Sequence, residues 1–298
     1  MNFDDFISYL CSSVFNSVEK KDVKILQMKS GAEINFSALQ NYRSLTEWEA
    51  MHEGKEVASI ISEERIRTLF QPIIEAKTGE IYGYEALSRG ILRDGRIMNP
   101  GRLFSSAKAM DLMFNLDRVC REASIRAASK QGIRKKLFIN FIPTAIYEPS
   151  LCLRSTAKVL EEVNFDPAQV VFEVVETEKV EDFAHLNRIL DYYKEKGFST
   201  ALDDLGSGYA DKSALLMLKP DYMKIDMEII RNIHLDEAKQ KKLDEFITAG
   251  KEMNLTILAE GIETIEEYNY LKGKEIDLMQ GYLFGKPEEV PMQMLSFR

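Results

Sequence analysis

Seven short apolar runs between residues 81 and 280 each carry, at or near their end, a side chain able to do chemistry. IYGYEAL carries Glu85, KLFIN ends in Asn140, and VVFEVVE contributes Glu173 and Glu176. TALDD ends in Asp203 and Asp204, YMKID supplies Lys224 and Asp226, LAEGIE supplies Glu260 and Glu263, and DLMQG supplies Gln280. Hard oxygen donors without histidine or cysteine suit Mg²⁺ or Mn²⁺ rather than zinc. The adjacent pair Asp203–Asp204 can serve two ions, one carboxylate bridging while its neighbour holds the second. Two ions about 3.5–4 Å apart activate a water, neutralise a scissile phosphate and stabilise the leaving oxygen. These residue types point to metal-dependent phosphodiester or sugar-phosphate chemistry.

Taken singly, each residue has an ordinary explanation. An acid just past a strand caps a helix, an Asn serves a turn, and Lys224 beside Asp226 makes a surface ion pair. Caps use Ser and Thr as readily as Asp, however, so one chemistry-bearing group after another at successive strand ends is not what capping predicts. Residues this far apart in sequence converge only if their strands end on a common rim.

The elements that would build such a rim are legible. LFQPIIEA and IYGYEAL flank KTGE as a hairpin, and a long helical region follows from Pro100 through SSAKAMDLMFNLDRVCREASIRAASK. Beyond it, strands KLFIN, VVFEVVE, FSTALDD, YMKID, TILAEG and DLMQG alternate with helical stretches. Strands alternating with helices make a parallel sheet of right-handed crossovers. About seven parallel strands plus one antiparallel strand predict a TIM-like (β/α)₈ barrel, whose active site lies at the C-terminal strand ends. An open doubly wound sheet is the alternative, but no GxGxxG motif follows a first strand.

Residues 1–60 do not share this rhythm. FISYLCSSVFNSV reads as one amphipathic helix and the rest carries mixed signals, so the chain divides into an N-terminal extension, 1–60, and a barrel, 61–298. The 298 residues have a formal charge of −9, which disfavours a nucleic-acid polymer as partner; metal ions can still supply local positive charge for a phosphate-bearing ligand. Cys11, Cys120 and Cys152 form no CxxC pair and read as free buried thiols. His52, His185 and His234 fall at no strand end. Acidic residues stand where a signal peptide carries basic ones, and no apolar run spans a bilayer, so a soluble, cytoplasmic protein without membrane insertion is expected.

Taken in order, the segments FQP (Phe70–Pro72), EALSR (from Glu85), IN (Ile139–Asn140), EVVE (Glu173–Glu176), DDLGSG (Asp203–Gly208), KID (Lys224–Asp226), AEGIE (Ala259–Glu263) and QGYLFGKP (Gln280–Pro287) resemble those of the EAL-domain cyclic di-GMP phosphodiesterases. The resemblance covers roughly residues 65–290. It implies hydrolysis of one phosphodiester bond of cyclic di-GMP to give linear pGpG. It implies that Glu85, Asn140, Glu173 and Asp203 hold one Mg²⁺ or Mn²⁺ ion, and Asp203 with Asp204 the second. Lys224 would orient or activate the attacking water, and Glu260 would act at the same centre as base or ligand. Gln71, Glu85, Leu87, Arg89 and Gln280 would contact the dinucleotide, with Arg89 suited to a phosphate by its planar fork. Glu176 would brace the DLGSGYA loop, while Asp226 and Glu263 would stand behind the ligands.

The family also implies a homodimer through the barrel near residues 204–211. Two departures lie in the loop, where Leu205 and Ser207 replace the commoner Phe and Thr and keep an apolar anchor and a hydroxyl. Val175 stands where a polar residue is more usual. No expected metal ligand is missing, which favours hydrolysis over the alternative of a receptor that binds cyclic di-GMP without cleaving it. No cyclase-type GGDEF segment is present.

Overall fold

The structure, a computed structural model, describes residues 3–28, 30–33, 42–143, 148–174, 183–206 and 212–294. The chain divides into two compact units. One comprises Met1–Arg65 with Gly90–Leu116, the other Ile66–Arg89 with Asp117–Arg298.

In the first unit the stretch FISYLCSSVFNSV is helical only in its first part, within the helix Phe3–Ser13, which stops short of Val18. β1 (Lys24–Leu26) pairs antiparallel with β2 (Tyr42–Ser44), and the helix Leu45–Ser62 follows at once. Ser44 opens that helix with a capping box, accepting the Glu47 amide while the Glu47 side chain accepts the Ser44 amide at 2.7 Å. Ile7, Cys11, Leu45 and Trp48 close a small apolar core, with the Trp48 indole N–H donating to Ile25 O at 3.1 Å. The signal for this helix was the S-L-T-E spacing, which the mixed composition around it obscures.

In the second unit the KTGE hairpin joins β3 (Ile66–Glu75) to β4 (Ile81–Ile91). β6 (Lys136–Phe141), β7 (Val170–Val174), β8 (Ser199–Leu205), β9 (Tyr222–Ile225), β10 (Thr256–Ala259) and β11 (Leu278–Gln280) continue parallel to β4. β3 runs antiparallel to β11 and also pairs with β4, which closes an eight-stranded barrel. Closure excludes the open doubly wound sheet. The short β5 (Ile97–Met98) pairs with Gly90 and Ile91 at the end of β4 and lies outside the ring.

The helical region expected between Pro100 and Lys130 consists of two helices, Pro100–Ala109 and Met113–Lys130. Asp111 adopts the left-handed conformation (φ 55°), Leu112 N–H reaches back to Ala107 O at 2.8 Å, and Asp111 N–H reaches Lys108 O at 3.3 Å. That is a Schellman ending with Asp in the place that Gly usually takes. Side-chain periodicity runs through the break, so the pattern alone does not reveal it.

The barrel interior follows from the two-residue period of a strand. Ile73, Phe138, Val171, Ala201, Tyr222, Leu258 and Leu278 pack as one buried apolar layer. Two residues further along each parallel strand stand Asn140, Glu173, Asp203, Lys224, Glu260 and Gln280; on antiparallel β3 the matching residue, Gln71, comes two residues earlier. The apolar floor thus places a polar layer directly above it, at the C-terminal ends of the parallel strands. Among the described residues no helix is long and apolar enough to cross a membrane.

Candidate active site

At the centre of the polar layer lies Lys224, whose side chain is 1% exposed. Its ammonium stands 2.6 Å from Glu173, 2.7 Å from Glu260 and 3.1 Å from Asp203. Burial alone would pull its pKa down, but Asp203, Glu173, Glu260 and Glu85 more than offset this and hold it well above the ordinary lysine value. Burial pushes Glu173 and Glu260 well above the usual carboxyl range despite Lys224, and the neighbouring acids add to the shift. Lys224 pairs with these three acids rather than with Asp226, whose carboxylate instead caps the helix Met227–Ile230 by accepting the Glu228 amide at 2.7 Å.

Glu85 is the second organising point. It accepts Gln280 Nε2 at 2.6 Å on one oxygen and Asn140 Nδ2 at 3.2 Å on the other. Residues 55 and 195 positions away from Glu85 are thereby tied to it.

Asp203 and Asp204 end β8 by a local device. Asp204 takes the left-handed conformation (φ 57°), its N–H donates to Asp203 Oδ1 at 2.9 Å, and the turn delivers both carboxylates to the rim. Gly206 completes the turn with φ 110°, and a Cβ there would lie 2.6 Å from Ile229. Lys242 holds the Gly206 carbonyl at 2.8 Å. Burial, with Asp203 and Asp226 beside it, raises the Asp204 carboxyl to about 6.

Asp203, Asp204 and Glu260 can each turn one oxygen inward so that all three lie within 4.8 Å of one another. One Glu173 oxygen and the Gln280 amide oxygen are buried without a hydrogen-bond donor among the described residues. Buried acceptors without donors are costly unless something positive meets them. Glu85, Glu173, Asp203, Asp204, Asp226 and Glu260 outnumber the cations near them among the described residues, Lys224 within the cluster and Arg89 beside Glu85. An oxygen-only, strongly acidic set with unfilled acceptors fits hard divalent cations such as Mg²⁺ or Mn²⁺.

Above this layer opens a cavity of about 320 Å³. Gln71, Glu85, Asp203, Asp204, Lys224, Asp226, Glu260, Glu263 and Gln280 line it, together with Met227 and Tyr282. Glu173 lies beneath it, joined through Lys224, and Asn140 is joined through Glu85. Strand alternation puts Leu87 and Arg89 on the face of β4 that carries Glu85, further towards the rim. Arg89 is half-buried, donates to Ser88 O at 2.9 Å, and is pulled below its usual pKa by burial against the opposing charge of Glu85. Gln71 Nε2 reaches Gly285 O at 3.3 Å. Glu263 turns outward and forms a fork with Arg231, one arm at 2.8 Å. Glu176 and most of the loop after Asp204 lie outside the described residues.

A larger groove of about 800 Å³ runs along the helix Arg154–Val163, but its polar lining is exposed and lacks a converging set of carboxylates. Two features of the rim escaped the reading of strand ends. Tyr282 lines the mouth without lying on a strand, and Glu267 holds the loop that follows Glu260. The Thr264-x-x-Glu267 spacing of a capping box was the available signal for the second.

The fold is a (β/α)₈ barrel whose rim gathers oxygen ligands around a buried lysine. The sequence pattern of the EAL domain family matches residues 55–287, and the chain belongs to that family. It is 30% identical over 238 residues to the probable cyclic di-GMP phosphodiesterase PdeG of Escherichia coli (strain K12), covering 76% of this chain and 45% of that protein. The crystal structure of a standalone versatile EAL protein from Vibrio cholerae O395, in its c-di-GMP bound form, is similar at a TM-score of 0.69 and 38% identity, covering 77% of this chain and 94% of that one. The manganese and cyclic di-GMP complex of BlrP1 from Klebsiella pneumoniae superposes at 0.68 with 25% identity, covering 85% and 70% of the two chains. The chain spans less than half the length of the curated phosphodiesterases PdeG and NbdA.

Proposed function

We propose that this chain hydrolyses cyclic di-GMP to linear pGpG at the rim built around Lys224 and Glu85. The observation that carries this reading is the buried acidic layer with unfilled oxygen acceptors, in a member of the EAL domain family. The similar Vibrio cholerae structure is described as the c-di-GMP bound form, which supports the choice of ligand.

Glu85, Asn140, Glu173 and Asp203 are assigned to one Mg²⁺ or Mn²⁺ ion, and Asp203 with Asp204 to a second. Bound there, such ions lower the pKa of a water and neutralise the scissile phosphate. The chain's own groups complete the chemistry. Lys224, kept charged by its acidic neighbours, is a donor that holds the attacking water and meets the negative charge on the phosphate oxygens. Glu260, 2.7 Å from that ammonium, is placed to take the proton the water releases. Water oxygen bonds to phosphorus, the P–O3′ bond breaks, and the proton taken from the water passes to the 3′ oxygen, leaving the 5′-phosphate of pGpG. Arg89, with Gln71, Leu87 and Gln280, is assigned to holding the dinucleotide. Asp226 steadies Asp204 from behind, and Glu176 is assigned to bracing the adjoining loop.

Residues 1–60 are proposed to be an accessory segment acting on a homodimer formed through the barrel, in the cytoplasm. Removing 1–60 without changing oligomeric state or turnover would contradict that part. Equilibrium binding and product analysis on the same sample decide the central reading. Binding followed by appearance of pGpG supports hydrolysis. Tight binding with no product in Mg²⁺ or Mn²⁺ makes the chain a receptor.

A further inference from the structure

We infer that Glu267 is a positioning residue for this site: its buried carboxylate ties the loop after β10 to the segment after β9, and so fixes where Glu260 meets Lys224. The inference rests on the proposed hydrolytic function.

Glu267 is 0% exposed. As the third residue of the helix Ile265–Lys272 it closes a capping box with Thr264, whose hydroxyl accepts the Glu267 amide at 3.2 Å. A capping box needs only that bond and the return bond from the Thr264 amide to the Glu267 carboxylate; the Glu263 and Asn232 amides are additional. Here one carboxylate oxygen takes two amides of its own loop, Glu263 at 2.9 Å and Thr264 at 3.1 Å. The other oxygen takes the Asn232 amide at 2.9 Å, from the segment that follows β9. Asn232 is itself left-handed (φ 57°), a conformation asparagine adopts more readily than most residues. Burial would raise the Glu267 carboxyl, yet the three amides and Arg231 hold it below the usual range.

Two further ties join the same pair of loops. Arg231 and Glu263 form their fork at the surface, and Gly261 (φ 69°) lies so close that a Cβ on it would be 2.3 Å from Met227 Cβ. At the inner end, Glu260 N–H donates to Ile225 O at 3.1 Å, and its carboxylate stands 2.7 Å from Lys224. Glu260, Gly261, Glu263 and Glu267 thus each meet the β9 side, while Ile262 between them donates its N–H to Gln280 O at 3.1 Å. Glu267 is the buried end of that fastening and does not line the cavity.

Replacing this carboxylate by an amide of equal size removes one acceptor and turns donors towards a backbone N–H, so one loop is released. Groups that orient site residues in this way commonly change metal affinity or activity by about 10–100-fold when lost. The test compares wild type, Glu267→Gln and, as a control on the exposed face of the same helix turn, Glu266→Gln. Mn²⁺ affinity and the separate kcat and KM for cyclic di-GMP are measured for each. The expected result is a loss of about 10–100-fold in kcat and weaker Mn²⁺ binding for Glu267→Gln, with KM changed little and Glu266→Gln like wild type. A folded Glu267→Gln protein with wild-type kcat and Mn²⁺ affinity overturns the inference while leaving the hydrolytic reading intact. A wild type that neither binds Mn²⁺ nor turns over overturns both. If Glu267→Gln does not fold, hydrogen exchange on the wild type decides: Mn²⁺ should slow the Asn232, Glu263 and Thr264 amides together, and unchanged rates in the Mn²⁺-bound protein overturn the inference.

Discussion

Lys224 and Glu173 form an ion pair at 2.6 Å with both side chains sealed from solvent, the lysine 1% exposed and the glutamate 0%. Sealed charges of this kind are poor contributors to stability compared with apolar residues of the same volume, because each loses its hydration. Their retention makes sense where the charge itself is used. Breaking such a pair by removing one partner is far worse than never having it.

Lys224→Met therefore has two expected effects. The metal-free protein should lose about 3–5 kcal/mol of stability, since Glu173, Asp203 and Glu260 are left together without a cation. Added Mn²⁺ should restore part of that, by replacing the missing positive charge. Turnover should fall about 10²–10⁴-fold, the range for a positioned group handling the water and its proton. Urea unfolding with and without Mn²⁺, alongside steady-state rates, checks both. Unchanged stability would show that the cluster is not electrostatically coupled.

Ions held by the acidic rim should stabilise the native state by mass action, by about 2.7 kcal/mol at one hundred times Kd. Protons compete for the same oxygens. Asp204 carries a raised carboxyl pKa of about 6, so it is mostly ionised above that value and increasingly protonated below it. The rise in Tm on adding Mn²⁺ should accordingly be full near pH 8 and shrink as pH falls through about 6. Thermal scans at several pH values with fixed Mn²⁺ test this, and a rise in Tm that is independent of pH contradicts it.

The cysteines give a check on packing away from the site. Cys11, Cys120 and Cys152 are free and buried. Burial raises the Cys11 thiol to about 11 and Cys120 to about 12, so both stay protonated and unreactive at neutral pH. A thiol reagent should modify these two slowly in the native protein and all three promptly in guanidinium. Fast native labelling at Cys120 would mean that the neighbourhood of Ser88 and Asp117 opens.

The site was legible because the barrel is regular. Once strands were placed, a period of two put Asn140, Glu173, Asp203, Lys224, Glu260 and Gln280 into one layer, above apolar residues two positions earlier. Lys224 shows where that reading stopped. Its neighbour in sequence, Asp226, is busy capping a helix, and its partners come from three other strand ends. Sequence adjacency suggested an ion pair between Lys224 and Asp226, and only closure of the barrel brings Glu173, Asp203 and Glu260 to Lys224 instead. The break at Asp111 was hidden for a related reason, since it consists of backbone hydrogen bonds that side-chain pattern does not encode; the Thr264-x-x-Glu267 spacing signals a cap but not the bond from the Asn232 amide, which comes from a distant segment.

The central claim is that oxygen ligands converging on this rim hold metal ions that drive cleavage of cyclic di-GMP. Its most direct test is the rate of pGpG formation by the purified protein as Mn²⁺ is titrated, beside Glu85→Ala. Glu85 organises Asn140 and Gln280 through hydrogen bonds of 3.2 and 2.6 Å, so its loss should both weaken the dependence on Mn²⁺ and abolish most turnover. pGpG formation by the wild type should rise and saturate with Mn²⁺, with at most a residual rate for Glu85→Ala. Equal rates for the two proteins, or a rate that persists with all divalent metal chelated, would contradict it.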